Sequence, residues 1–190
     1  MRIVNALAAA AALVLALGSC SSSPATDDAA AAPEPVVSAD AASILAAYGL
    51  AGLDGRAVVD RLDRAPVSER PAQLRASVRP GQLLLSDDSS DDPAVLDLPK
   101  DEFYLSVAPY ADQTHDCFHH SLTTCRGELA GEPLQVTITE QGSGAVLVDT
   151  SAETYDNGFI GFWLPAGIDA TIRIVASIPC LLYTSPSPRD

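Results

Sequence analysis

The sequence predicts an α+β protein, with a small N-terminal helical unit followed by an antiparallel β-sandwich-like domain. Three observations lead there. Apolar residues recur at helical spacing over residues 40–79. From Gly81 onward the repeat shortens to two. Gly-rich turn sequences then separate the alternating runs.

Residues 40–49, DAASILAAYG, read as a short helix with Asp40 as N-cap and Gly49 as its stop. A carboxylate accepts the unpaired first-turn N–H groups, and glycine tolerates the left-handed C-terminal turn. Residues 54–64, DGRAVVDRLDR, repeat the logic, with Asp54 as cap, Val58, Val59 and Leu62 on one face, then Pro66. Pro71 is expected to open a third, shorter helical stretch, with Leu74 and Val78 four apart on one side. Residues 40–80 thus form the helical unit, and its apolar faces must pack on the β-rich part of the chain.

Alternation is cleanest at residues 134–139 and 168–174, and residues 103–108, 145–149 and 159–164 are also strand-like. Gly142-Ser143-Gly144, Asp156-Asn157-Gly158 and Pro165-Ala166-Gly167 lie between the later runs. Asn-Gly between β-rich runs predicts a hairpin. Short strands with turns at this spacing predict an antiparallel sandwich over residues 81–179. In pattern, residues 134–174 are similar to transthyretin-like and carboxypeptidase-regulatory-like modules. Trp163 is expected in the core.

The chain ends differ in character. Residues 6–17 form an Ala/Leu/Val run behind Arg2. The run is too short to span a bilayer, which takes about 20 apolar residues, but it suits a signal-peptide core. It ends in Leu17-Gly18-Ser19-Cys20, which resembles a bacterial lipobox. Residues 1–19 are therefore expected to be a lipoprotein signal peptide and Cys20 the lipidated residue. The alternative is an ordinary signal peptide with an incidental Cys20. Residues 20–39, rich in Ala, Ser, Pro and acids, read as a flexible tether. Residues 180–190, CLLYTSPSPRD, resemble the translation of a sequencing adapter, so Cys180 receives no role.

The formal net charge of −14 argues against nucleic acid or anionic lipid as a partner, since both need a basic face. Membrane contact is expected through the lipid anchor alone. The run Asp87-Asp88-Ser89-Ser90-Asp91-Asp92 lacks the ligand spacing of a calcium loop and reads as a solvated turn. Gly142 and Gly144 precede a strand rather than a helix, which excludes a phosphate cradle. No nucleophile elbow is visible, and the protein is not expected to be primarily an enzyme.

Chemistry concentrates in HDCFHHSLTTC, residues 115–125. This window holds all three histidines and two of the four cysteines. Thiolate selects Cu(I), zinc and iron–sulfur centres, and imidazole suits copper and zinc. The cysteine spacing is too wide for a zinc knuckle and there is no second pair, so a compact copper site is favoured over zinc. In an extended segment His115, Cys117 and His119 would share one face, with His120 on the other. The alternative is a Cys117–Cys125 disulfide, ordinary outside the cytoplasm and worth about 2.5 kcal/mol. That staple leaves the clustered histidines unexplained. It would suit a sandwich-fold surface lipoprotein that binds a protein or glycan. A thiol redox enzyme ranks last, because Cys-x-x-Cys geometry is missing.

Residues 114–129, THDCFHHSLTTCRGEL, resemble the signature of the CueP family of periplasmic copper-binding, copper-resistance proteins. DEFYLSVAPYADQTHDC, TYDNGFIGFWLPAGIDATI and YGLAGLDGRAVVDRLD are similar to that family too, so the resemblance spans residues 43–175. It implies a helical N-terminal part and a β-rich C-terminal part carrying the copper site. It also implies extracytoplasmic copper tolerance and copper delivery to a Cu,Zn superoxide dismutase. His115, Cys117, His120 and Cys125 match the family pattern, while His119 stands where that pattern has an aromatic residue. Asp116 is expected to support a ligand by hydrogen bonding. Family members carry a further cysteine near their C-terminus, and Cys180 is not that residue on this reading. The expected partners are a copper ion, Cu(I) in preference to Cu(II), and the dismutase; a homodimer is compatible with the sequence.

Overall fold

The structure, a computed structural model, describes residues 37–89, 91–114, 118–177 and 181–184, the last by backbone alone. Cys20, His115, Asp116 and Cys117 lie outside the described residues. Contacts divide the chain into Met1–Pro33 and Glu34–Asp190, and every described residue belongs to the second unit.

Helix α1 (Ala39–Ala47) is capped by Ser38 rather than by Asp40: the Ser38 hydroxyl oxygen accepts from the Ala41 N–H at 3.2 Å. Asp40 occupies the first turn instead, where its charge still complements the helix dipole. Gly49, at φ +70°, follows the helix as expected. Helix α2 (Gly55–Arg64) starts on the predicted cap, with Asp54 Oδ1 accepting from the Ala57 N–H at 2.8 Å. The third helical stretch is not formed. After a single 3-10 turn at Val67–Glu69 the chain enters strand β1 (Arg75–Arg79). Residues four apart share a face of a strand as well as of a helix. Ala76, fully buried between Leu74 and Val78, shows that the period here is two.

Strand β2 (Gln82–Ser86) pairs antiparallel with β1 on one side and with β3 (Ala94–Asp97) on the other. This sheet and the two helices share a core of Val58, Val59, Leu74, Leu83, Leu85 and Leu96. Leu122, from the histidine–cysteine window, is buried in the same core.

The remaining strands make two further sheets. Strand β4 (Glu102–Tyr110) is flanked by β7 (Ile160–Pro165) and β9 (Leu181–Thr184). Strand β5 (Pro133–Glu140) is flanked by β6 (Val146–Glu153) and β8 (Ala170–Ala176). Val107, Ile160 and Leu164 of one sheet pack with Leu134, Val136 and Ile138 of the other, giving the expected sandwich. The Gly142–Gly144 region closes the β5–β6 hairpin. The Asp156-Asn157-Gly158 turn does not make a hairpin. Strand β6 pairs with β5 and β7 with β4, so this turn carries the chain between sheets. Turn chemistry fixes a reversal of direction but not the strand that pairs afterward.

Trp163 is half-buried rather than interior. Its indole N–H donates to Asp60 Oδ1 at 3.1 Å, and the Arg56 guanidinium lies 4.9 Å above its ring. Arg56 also pairs with Glu102, so these contacts hold α2 against the β4–β7 sheet. Among the described residues no helix is long and apolar enough to cross a membrane.

Candidate metal centre

The window leaves β4 and is tied at once to its own exit. The backbone N–H groups of Ala111, Asp112 and Gln113 all donate to Glu128 Oε2, at 2.9, 3.0 and 3.2 Å. These bonds, that from Asp112 foremost, hold the Glu128 carboxyl below the usual carboxylate range.

His120 is fixed by backbone and side chain together. The Val78 N–H donates to the His120 carbonyl at 2.9 Å and the Leu122 N–H to the Ala76 carbonyl at 2.8 Å, so this segment runs along β1. The imidazole is 3% exposed and stacks on Phe159 with ring centroids 4.5 Å apart. Its Nε2 lies 3.0 Å from Asp63 Oδ1. Asp63, fully buried on α2, accepts from the Tyr104 hydroxyl at 2.6 Å and from Asn157 Nδ2 at 3.5 Å. Burial alone would push the Asp63 carboxyl up. The hydrogen bond from His120, that from the Tyr104 hydroxyl and the Arg70 charge outweigh it and hold the group below its ordinary value. An ionised carboxylate can only accept, so Nε2 carries the shared hydrogen. His120 Nδ1 is then left buried with no hydrogen-bond partner among the described residues.

Cys125 approaches the same place on the next turn. Its N–H donates to the Ser121 carbonyl at 3.1 Å, and its sulfur accepts from the Ser121 N–H at 3.3 Å. The side chain is buried against Ala108 and Phe159, so the Phe159 ring meets both His120 and Cys125. Phe159 is held there by a backbone crossing. The Gly127 N–H donates to the Asn157 carbonyl at 2.6 Å, and Asn157 Oδ1 accepts from the Phe159 N–H at 3.2 Å. Arg70, itself buried, donates through Nη2 to the Asp63 carbonyl at 2.7 Å. Its charge is within electrostatic reach of Cys125, whose thiolate is the metal-binding form.

The predicted site residues therefore separate. His120 and Cys125 converge on Phe159. His119 is partly exposed, 4.5 Å edge-to-face from the exposed Phe118. His115, Cys117 and the supporting Asp116 fall outside the described residues, as does lipidation at Cys20. Among the described residues no three His, Cys, Asp or Glu side chains converge on one metal position. Residue type and spacing do not single out Asp63, Tyr104, Asn157 or Phe159. Asp63 alone carries a signal: it stands four residues after Val59, on the apolar stripe of α2, where a charge is costly unless it is paired.

A family model described as "Periplasmic copper-binding protein CueP" matches residues 57–178. A solved crystal structure of S.CueP is 37% identical and aligns with a TM-score of 0.68, covering 78% of this chain and 89% of that one. No curated protein matches the sequence.

Proposed function

Because this chain belongs to the CueP family of periplasmic copper-binding proteins, we propose that it sequesters copper outside the cytoplasm, for copper resistance, through the window that carries His120 and Cys125. The observation that supports this best is His120 Nδ1. A buried imidazole nitrogen without a partner costs free energy, and here it sits beside the ring that also covers a buried cysteine. A soft ion bound at that nitrogen would satisfy it, and the Cys125 thiolate is a second donor of matching chemistry. Cys125 and Cys117 supply sulfur, His120 and His115 imidazole, Asp116 an outer hydrogen bond, and the more exposed His119 a secondary donor.

This donor set favours Cu(I), since thiolate is soft and zinc would demand a closed tetrahedral set. The role is binding and hand-over rather than turnover, with a Cu,Zn superoxide dismutase as recipient. The folded part of the chain, residues 40–179, stands off the membrane on tether 20–39, anchored through Cys20. Dimerisation is compatible with this arrangement.

Titration of the reduced protein with Cu(I) against a competing chelator tests the reading. About one equivalent is expected to be retained. Cys125→Ser is expected to weaken binding by more than the roughly 10–100-fold that loss of an outer-shell partner costs. Failure of the unmodified chain to retain copper, or full retention by Cys125→Ser, would overturn it.

A further inference from the structure

We propose that Asp63 is the positioning residue of the copper site: by holding the proton of His120 on Nε2, it presents Nδ1 as the copper donor. This rests on the copper reading above and names the donor atom within it.

The geometry leaves one nitrogen available. Nε2 is engaged with Asp63 Oδ1 at 3.0 Å, whereas Nδ1 is buried and has no partner among the described residues. Turning the ring over would take Nε2 away from the carboxylate. The ring is stacked on Phe159, and its backbone is bonded to β1 through Val78. A carboxylate behind a metal-binding histidine is a recurrent device: it sets the tautomer, aims the ring and raises the basicity of the other nitrogen.

Asp63 is also a poor choice for packing alone. A buried charge is expensive, and an apolar residue of similar volume often serves stability as well or better. Position 63 lies on the apolar stripe of α2, where an aliphatic side chain would continue Val59 and Leu62. Instead three donors from three separate segments converge on its carboxylate: His120 from the window, Tyr104 from β4 and Asn157 from the β6–β7 turn. Helix α2 thereby sets the orientation of a ligand that it does not itself provide.

Long-range ¹H–¹⁵N correlation spectra of the labelled, reduced full chain test this directly. Without metal, His120 is expected to carry its proton on Nε2 with Nδ1 bare. One equivalent of Cu(I) should move the Nδ1 resonance while Nε2 stays protonated. Asp63→Asn, which leaves one acceptor oxygen for three donors, should mix the tautomers and weaken Cu(I) binding about 10–100-fold. Tyr104→Phe removes a bond to the other carboxylate oxygen, and should leave tautomer and affinity near those of the unmodified chain while lowering stability. That contrast separates positioning from general loss of fold. A proton on Nδ1 in the metal-free protein, or a copper-induced shift at Nε2, would overturn the proposal. Unchanged affinity in Asp63→Asn would do the same. If copper is retained and neither nitrogen of His120 responds, the positioning role falls and the copper reading stands. If the unmodified chain retains no copper, both fall.

Discussion

Gly158→Ala is expected to destabilise the protein by about 2–5 kcal/mol, combining backbone strain with overpacking. Gly158 has φ +78°, in the left-handed region where a Cβ costs about 1–2 kcal/mol. An added Cβ would also meet the carbonyl carbon and oxygen of Gly127 at 2.6 Å. Both are backbone atoms and cannot rotate aside, so the two chain segments must separate. The bond from the Gly127 N–H to the Asn157 carbonyl lies at that crossing, and Phe159 with Cys125 lies behind it. Gly144→Ala is the matched control: φ there is +72°, but nothing lies within 4 Å of the added carbon. Urea denaturation should show Gly158→Ala well below Gly144→Ala in stability. Equal losses would mean that the Gly127–Gly158 crossing is looser than described.

Asp63→Ala should cost about 3–5 kcal/mol, because it leaves several buried donors without their acceptor at about 1–3 kcal/mol each. The substitution leaves His120 Nε2, the Tyr104 hydroxyl and Asn157 Nδ2 without their shared acceptor, and His120 and Asn157 are buried. The effect carries a pH signature. The Asp63 carboxyl in the fold lies below its ordinary value of 3.8, so the unfolded chain binds the proton more readily. Its contribution is fully present above the unfolded value and is lost as pH falls through the lower, folded one. The stability gap between the unmodified chain and Asp63→Ala should therefore be constant near neutrality and narrow below about pH 4. A gap that widens in acid would contradict the ionised state of Asp63.

The two variants mark where sequence reading succeeds and where it stops. Gly158 is legible as a turn, because Asp-Asn-Gly between β-rich runs has few other uses. That the turn joins two sheets is not legible, since the pairing partners of β6 and β7 are chosen by the shared core around Val136 and Ile160. The helices and most strands follow from periodicity. The strand at Arg75–Arg79 is hidden because a spacing of four satisfies either geometry. His120 and Cys125 stand out by residue type within one short window. Their setting does not: Asp63 is 57 residues from His120, and Asn157 is 94 residues from Asp63. Such a network exists only once the chain has folded. The remaining clue is a carboxylate on the buried face of α2, which is worth pursuing whenever an apolar stripe contains one charge.

Copper K-edge X-ray absorption on the Cu(I)-loaded chain tests the site most directly. Donation by Cys125 and His120 predicts sulfur together with imidazole nitrogen in the first coordination shell, and reduced sulfur scattering in Cys125→Ser. A first shell of oxygen or nitrogen alone, unchanged by that substitution, would contradict it.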